Sequence, residues 1–181
     1  MPSTKLVRML FLAGMLVSAT GVLAQSQFTL EQVLSSPFPA GLVAAEHANR
    51  VAWVFDARGV RNVWIADGPE FARTARPLTH YNADDGQPIA SVRLTPDGKT
   101  ALYALGSELN DAQESANPGS WTKGAKQQVF AIDADARNSA PRLLGEMGCP
   151  EEGCEDINIS PDGRQALWSA KKKLWIAGID G

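Results

Sequence analysis

Ile89-Ala90-Ser91-Val92-Arg93-Leu94-Thr95-Pro96-Asp97-Gly98-Lys99-Thr100-Ala101-Leu102-Tyr103-Ala104-Leu105 decides the fold of this chain. Two short runs of strand-forming residues flank the tripeptide Pro-Asp-Gly. Proline presets φ for the second position of a type I turn, aspartate suits the third, and glycine accepts the left-handed conformation that sends the chain back as a hairpin. The same unit returns at Ser160-Pro161-Asp162-Gly163, between residues 156–159 and 165–169. A third copy, without the tripeptide, turns at His47-Ala48-Asn49-Arg50 between 42–45 and 51–56. One such turn is weak evidence, but a repeated strand–turn–strand unit is the signature of stacked sheets.

Each copy places an aromatic in its second strand and another in its third. Trp53, Tyr103 and Trp168 share one repeat position, and Trp64, Phe130 and Trp175 share the next. An equivalent aromatic in every repeat is what packing between neighbouring sheets requires, so these side chains read as core rather than as a sugar- or base-binding platform. The expected fold is therefore all-β, an incomplete β-propeller of about two and three-quarter four-stranded blades. The blades are expected at 41–80, 88–146 and 156–181, after a lead-in at 25–40. In that lead-in, Thr29 and Gln32 are spaced to form a capping box for a short helix, which Pro37 and Pro39 end.

Residues 1–24 read as a signal peptide. Lys5 and Arg8 precede an apolar run from Met9 to Val17, and Val22-Leu23-Ala24 suits a signal peptidase cutting between Ala24 and Gln25. The run is shorter than the roughly 20 residues that span a bilayer, so no membrane association is expected after cleavage. Loss of Lys5 and Arg8, with no acidic residue in the segment, takes the net charge from −3 to −5. An acidic exported domain, periplasmic or extracellular, argues against nucleic acid as partner. Lys171-Lys172-Lys173 is read as a solvated hairpin tip.

Cys149 and Cys154 are the two cysteines. In an oxidising compartment they are expected to close the Cys149-Pro150-Glu151-Glu152-Gly153-Cys154 loop as a disulfide. A zinc site would need further ligands, and His47 and His80 lie far away in sequence. No metal, no cofactor and no catalytic residue is assigned. Asp84-Asp85 reads as a turn between blades, since calcium would require more oxygen ligands than the sequence displays there.

Blade two carries a polar insertion at 106–126, including Asn117-Pro118-Gly119, where blade three has only a few residues. Long loops in compact folds usually serve function or move. In an up-and-down sheet the loop from second to third strand emerges at the same end as the linker to the next blade. The insertion, the Asp84-Asp85 linker and the cysteine loop are therefore expected at one end, the working face.

Several segments resemble a known family in their order. They are Phe28-Thr29-Leu30-Glu31-Gln32-Val33-Leu34, Val51-Ala52-Trp53-Val54-Phe55, Arg61-Asn62-Val63-Trp64, and Pro77-Leu78-Thr79-His80-Tyr81 with Asp84-Asp85-Gly86. Together they look like the N-terminal propeller of bacterial exported peptidases of the prolyl oligopeptidase family, which includes the dipeptidyl-peptidase IV-like enzymes. Single blade motifs are shared with TolB-like propellers. The resemblance implies a propeller that gates short peptides to an α/β-hydrolase domain bearing a Ser-Asp-His triad. The Gly-x-Ser-x-Gly elbow that presents such a serine does not occur in this sequence. The peptide substrate would thus be engaged through a hydrolase domain that this chain lacks. Family members bind the substrate's free amine with a pair of glutamates. Glu151-Glu152 is such a pair, though it lies in a cysteine-flanked linker and not in a helical insertion.

Three readings remain open at this point. The chain is the front of an exported serine peptidase, a TolB-like protein-binding module without chemistry, or a short protein that closes by assembling with copies of itself. Its oligomeric state is not fixed by the sequence.

Overall fold

The computed structural model describes residues 28–106, 127–147, 157–170 and 173–180. Residues 1–34 and 35–181 form two separate units. In the first, helix α1 (Leu30–Leu34) is one exposed turn. The Gln32 backbone N–H donates to the Thr29 hydroxyl at 3.1 Å, and the Thr29 N–H donates to the Gln32 side chain at 2.9 Å. That reciprocal pair is the capping box expected from the sequence.

The second unit contains three antiparallel sheets. The first runs in order β1 (Phe38–Ala44), β2 (Arg50–Ala57), β3 (Val60–Asp67) and β4 (Arg76–Pro77), with a four-residue helix α2 (Phe71–Thr74) between its last two strands. The second runs β5 (Ile89–Leu94), β6 (Thr100–Leu105), β7 (Gln127–Asp133) and β8 (Arg142–Met147). The third comprises β9 (Asn158–Ile159), β10 (Gln165–Ala170) and β11 (Lys173–Gly178). Sequential strands are neighbours throughout, so each sheet is an up-and-down meander and the chain is an incomplete β-propeller. The strands hold their register: Trp53 pairs with Trp64, Tyr103 with Phe130, and Trp168 with Trp175.

Strand β1 begins at Phe38, four residues ahead of the expected Leu42. Pro39 does not stop it, because β1 is an edge strand and an edge tolerates a missing N–H. Gly41 adopts φ +63°, and the register shifts between Ala40 and Val43, so a bulge absorbs the irregularity.

The two Pro-Asp-Gly turns are built alike, and each depends on the hydroxyl residue that precedes the proline. Thr95 Oγ1 donates to Asp97 Oδ1 at 2.7 Å and accepts from the Thr100 N–H at 3.0 Å, while the Lys99 N–H donates to the same carboxylate. Ser160 Oγ donates to Asp162 Oδ1 at 2.6 Å and accepts from the Gln165 N–H at 2.9 Å, with the Arg164 N–H on the carboxylate. Gly98 and Gly163 take φ near +70°. These donors hold both aspartates below the usual carboxylate range, the Lys99 N–H leading at Asp97 and the Ser160 hydroxyl at Asp162.

A second repeat lies where each third strand ends. Gly68 N–H donates to Asn49 O, Ala134 N–H to Lys99 O and Ile179 N–H to Arg164 O, at 2.7–2.8 Å. All three blades thus tie the exit of the third strand back to the hairpin between the first two.

The core is divided by the sheets into two seams. Ala52, Val54, Val63 and Ile65 of the first sheet meet Ala101, Tyr103 and Ile132 of the second. Leu102, Ala104, Val129 and Ala131, on the opposite face of that second sheet, meet Ala166 and Trp168 of the third. The period-2 alternation of strands explains this: odd and even residues of β6 serve different seams. Trp168 lies against the backbone of Gly145, where an added Cβ would sit 2.7 Å from its Cζ2, and its Nε1–H donates to Glu146 O at 3.2 Å.

Candidate functional site

Loops gather at one end of the sheets. Ala57-Arg58-Gly59-Val60 joins β2 to β3 through a two-residue turn in which both central residues have positive φ, Arg58 at 56° and Gly59 at 85°. Such a turn suits the twist of a hairpin. Asp56 Oδ1 accepts from the Gly59 N–H at 2.8 Å, and its other oxygen lies 3.0 Å from Arg61 Nε. Arg61 also donates to Gly59 O at 3.0 Å and stands 3.8 Å from Asp84 Oδ1 in the linker to the second blade. The linker and the turn touch: a Cβ built on Gly59 would meet the Asp84 carboxylate at 2.2 Å.

Strand β4 leads into this linker through a polar anchor. Asn62 Oδ1 accepts from the Thr79 hydroxyl at 2.9 Å and the Tyr81 N–H at 2.7 Å, while Nδ2 donates to Tyr81 O at 3.0 Å. Thr79 is fully buried and accepts the Val63 N–H on its hydroxyl oxygen. The Asn62 amide and the Thr79 hydroxyl thus use both donor and acceptor at this corner, which fixes the path of the chain into the linker. Tyr81 then meets Tyr103 hydroxyl to hydroxyl at 2.7 Å across the first seam. Burial pushes both phenols up, Tyr103 far more than Tyr81.

The anchor points of the remaining loops lie at the same end. Gly106, the first residue of the insertion, donates its N–H to Pro88 O at 2.9 Å, where the linker ends. Gln127, the first described residue after the insertion, pairs with Met147, the last before the cysteine loop. The strand ends that flank these loops thus lie together, while the insertion beyond Gly106 and the cysteine loop themselves fall outside the described residues. Gln87 is buried beside this junction, and its Nε2 has no partner among the described residues.

Several expected sites fall elsewhere. Ala24 and Gln25 of the cleavage site, Cys149 and Cys154 of the expected disulfide, and Glu151 and Glu152 of the amine-binding pair lie outside the described residues. So do Lys171 and Lys172, whereas Lys173 opens β11 and is exposed. His47 sits in the exposed β1–β2 turn, 3.9 Å from the Glu46 carboxylate, at the opposite end of the sheet from the loops. His80 is exposed and borders a depression of about 370 Å3 with Phe55, Trp64, Pro77 and Tyr81. No group of three His, Cys, Asp or Glu placed to hold a metal occurs among the described residues.

The sequence reading did not find the turn-end clamp. Arg50, at the start of β2, donates to Asp67 Oδ1 at 2.6 Å, to Gly98 O at 2.8 Å and to Asp135 Oδ1 at 2.7 Å. One guanidinium thereby joins both ends of the first blade's central hairpin to the turn and the third-strand exit of the second. Asp67 above all raises its pKa further. Nothing in the spacing of Arg50, Gly98 and Asp135 signals this, because the contact runs between repeats.

The sequence matches no protein-family model and no curated protein. Among solved structures, it is similar to the β-propeller domain of the Trilobed protease from Pyrococcus furiosus, described as having an open velcro topology. That match has a TM-score of 0.49 and 13% identity, and covers 80% of this chain and 40% of that one. A chain of the Mitotic Checkpoint Complex matches with a TM-score of 0.36 and 15% identity, over 78% of this chain and 47% of that one. The β-propeller domain of Myceliophteria thermophila Cps50 (Swd1) matches with a TM-score of 0.36 and 14% identity, over 80% and 41%. The chain spans less than half the length of each of these.

Proposed function

We propose that this chain is the substrate-gating propeller portion of an exported serine peptidase that acts on short peptides. The observation that carries the reading is that the linker and the strand ends flanking the insertion and the cysteine loop lie together at one end of the sheets, with Gly106 on Pro88 and Gln127 opposite Met147. A propeller that gates needs its variable loops on one face, toward the domain whose entrance it controls. The ordered family-like segments around Trp53, Trp64 and Tyr81 support the same reading. The chemistry would reside in a hydrolase domain encoded after Gly181, with Glu151-Glu152 available to meet a peptide's ammonium group. Export would follow cleavage between Ala24 and Gln25.

Treating the full-length gene product with a fluorophosphonate probe tests this. Covalent labelling of a serine in a Gly-x-Ser-x-Gly setting beyond Gly181 is expected; a full-length product that takes no label overturns the peptidase reading. N-terminal sequencing of the exported protein should begin at Gln25. A second reading, a protein-binding propeller without chemistry, is favoured by the apolar residues exposed on the outer sheet faces, Leu174 and Ile176 among them. Failure to label, together with capture of a partner by those faces, selects it.

A further inference from the structure

Between the outer strand of the first blade and the turn after β7 of the second lies a cleft of about 700 Å3. Its walls cross the blade boundary. Arg73 in α2 and Arg76 at the start of β4 come from the first blade, and Arg137 and Asn138 come from the second. Local contacts hold these groups in place. Thr74 Oγ1 accepts from the Asp67 N–H at 2.8 Å and donates to Asp67 O at 2.6 Å, which ties α2 to the end of β3. Arg76 donates to Ala134 O, which joins β4 to the exit of β7. Asp133 Oδ1 accepts from the Asp135 and Ala136 N–H groups at 2.8 and 3.1 Å and shapes the turn that carries Arg137.

The charge in this cleft is unbalanced. The chain as a whole carries −3, yet the described lining holds three arginines and a single acid, Asp67. That carboxylate is already taken by Arg50 at 2.6 Å, and Asp135 beside the turn is taken by the same guanidinium at 2.7 Å. Arg73 has Glu70 at 3.1 Å, but both side chains are well exposed and such a pair is weakly coupled. Arg137 has no partner among the described residues. The fold itself does not call for this. Among the described residues, the corresponding cleft between the exits of β7 and β11 is lined by Asp133, Asp135 and Asp180 with Lys99 and Arg142.

We propose that the cleft binds a small molecule bearing a multiply charged oxyanion, a phosphate ester or a polycarboxylate. Arg73 and Arg137 would grip it from the two sides of the blade boundary, with Arg76 adding the donors that Ala134 O leaves free. Guanidinium groups match such oxyanions through paired N–H donors, and they stay charged at any physiological pH. The volume lies within the roughly 300–1,000 Å3 of small-molecule sites, and Pro77 and the buried Leu78 supply an apolar wall for the rest of the ligand. The cleft sits at the turn end, away from the loops, so the proposal does not rest on the gating reading. A full-length product that takes no fluorophosphonate label would leave it standing.

Calorimetric titration of the full-length gene product at low salt, with pyrophosphate and separately with citrate, tests it. Saturable binding of at least one is expected. It should weaken about tenfold in Arg137→Ala and in Arg73→Ala, the loss of one charge-assisted contact. Lys99→Ala, which removes an exposed cation outside the cleft, should leave it unchanged. Binding of pyrophosphate alone selects a phosphate-bearing ligand, binding of citrate alone a carboxylate-bearing one, and binding of both a site that reads charge. Circular dichroism checks that each variant folds, and Arg137→Gln or Arg73→Gln replaces either that does not. No saturation by either anion at millimolar concentration overturns the proposal. So does unaltered affinity in both arginine variants, or an equal loss in Lys99→Ala.

Discussion

At the turn end of the sheets, Arg50 holds Asp67 of its own blade and Asp135 of the next, and its side chain is only 15% exposed. At the loop end, Arg61 stands 3.8 Å from an Asp84 that is 58% exposed. The same pair of residue types does different work in the two places. Around Arg50 the polypeptide is close-packed: the buried Gly98 leaves an imaginary Cβ only 3.1 Å from Ala48 and 3.2 Å from Ala45, and Gly163 comes as near to Pro96. His47 N–H donates to Pro96 O at 2.7 Å, so the hairpin turns of successive blades stack. Around Arg61 the contact to the next blade's linker is between side-chain tips 3.8 Å apart, and the Asp84 carboxylate has room to move. The difference teaches how neighbouring sheets divide labour, holding blade to blade through buried turns at one end and only loosely through the exposed linker at the other.

Arg50→Ala should break the comparison most severely. It strands two aspartates and removes the stem that packs on Gly98, and a loss of about 2–3 kcal/mol is expected in urea denaturation, moderated because both carboxylates keep access to water. Gly98→Ala is expected to cost about 1–2 kcal/mol, since alanine is strained at φ +72° and its methyl would press on Ala45 and Ala48. Gly59→Ala, with a similar φ of +85°, is the matched control at the loop end. It should cost less, because the Asp84 carboxylate it meets can swing aside.

The turns can be sharpened by pH. Asp97 and Asp162 have folded-state pKa values below their unfolded ones, so below the ordinary carboxylate pKa of about 3.9 the unfolded chain binds more protons than the folded one. Their contribution is complete above that value and fades as pH falls through the folded pKa. Asp97→Asn with Asp162→Asn should flatten stability against pH below about 4, as followed by melting midpoint. The smallest effect is expected for Asp84→Ala, under about 0.5 kcal/mol in the same denaturation assay, since an exposed pair at this separation is weakly coupled.

Much of this architecture was legible in the residues themselves. Pro-Asp-Gly marked two hairpins, and His47-Ala48-Asn49-Arg50 marked the third, because turn chemistry is local. The aromatic repeat indicated packing between sheets, and Tyr103 and Trp168 are buried there, whereas Trp53 is only partly buried and Trp175 is 48% exposed. The roles of Thr95 and Ser160 were missed, although a hydroxyl before each Pro-Asp-Gly was a readable signal. Strand β1 was placed too late because the proline and glycine near its start look like breakers, and only the edge position and the bulge make them tolerable. The Arg50 clamp and the Asn62–Thr79 anchor were beyond reach, since each joins residues whose proximity exists only once strands are paired and sheets are stacked.

The hydroxyl contact between Tyr81 and Tyr103 involves the only two tyrosines in the chain. Phenolate absorbance of the whole protein is therefore an optical gauge of one seam, free of any label. Both groups resist ionisation while folded, so the seam favours the native state up to the ordinary phenol value near 10 and loses that support as alkali rises further. A spectrophotometric titration should show the two phenols ionising together, late and in step with unfolding, and an early, independent rise from one of them would mean that the first two blades part before the rest.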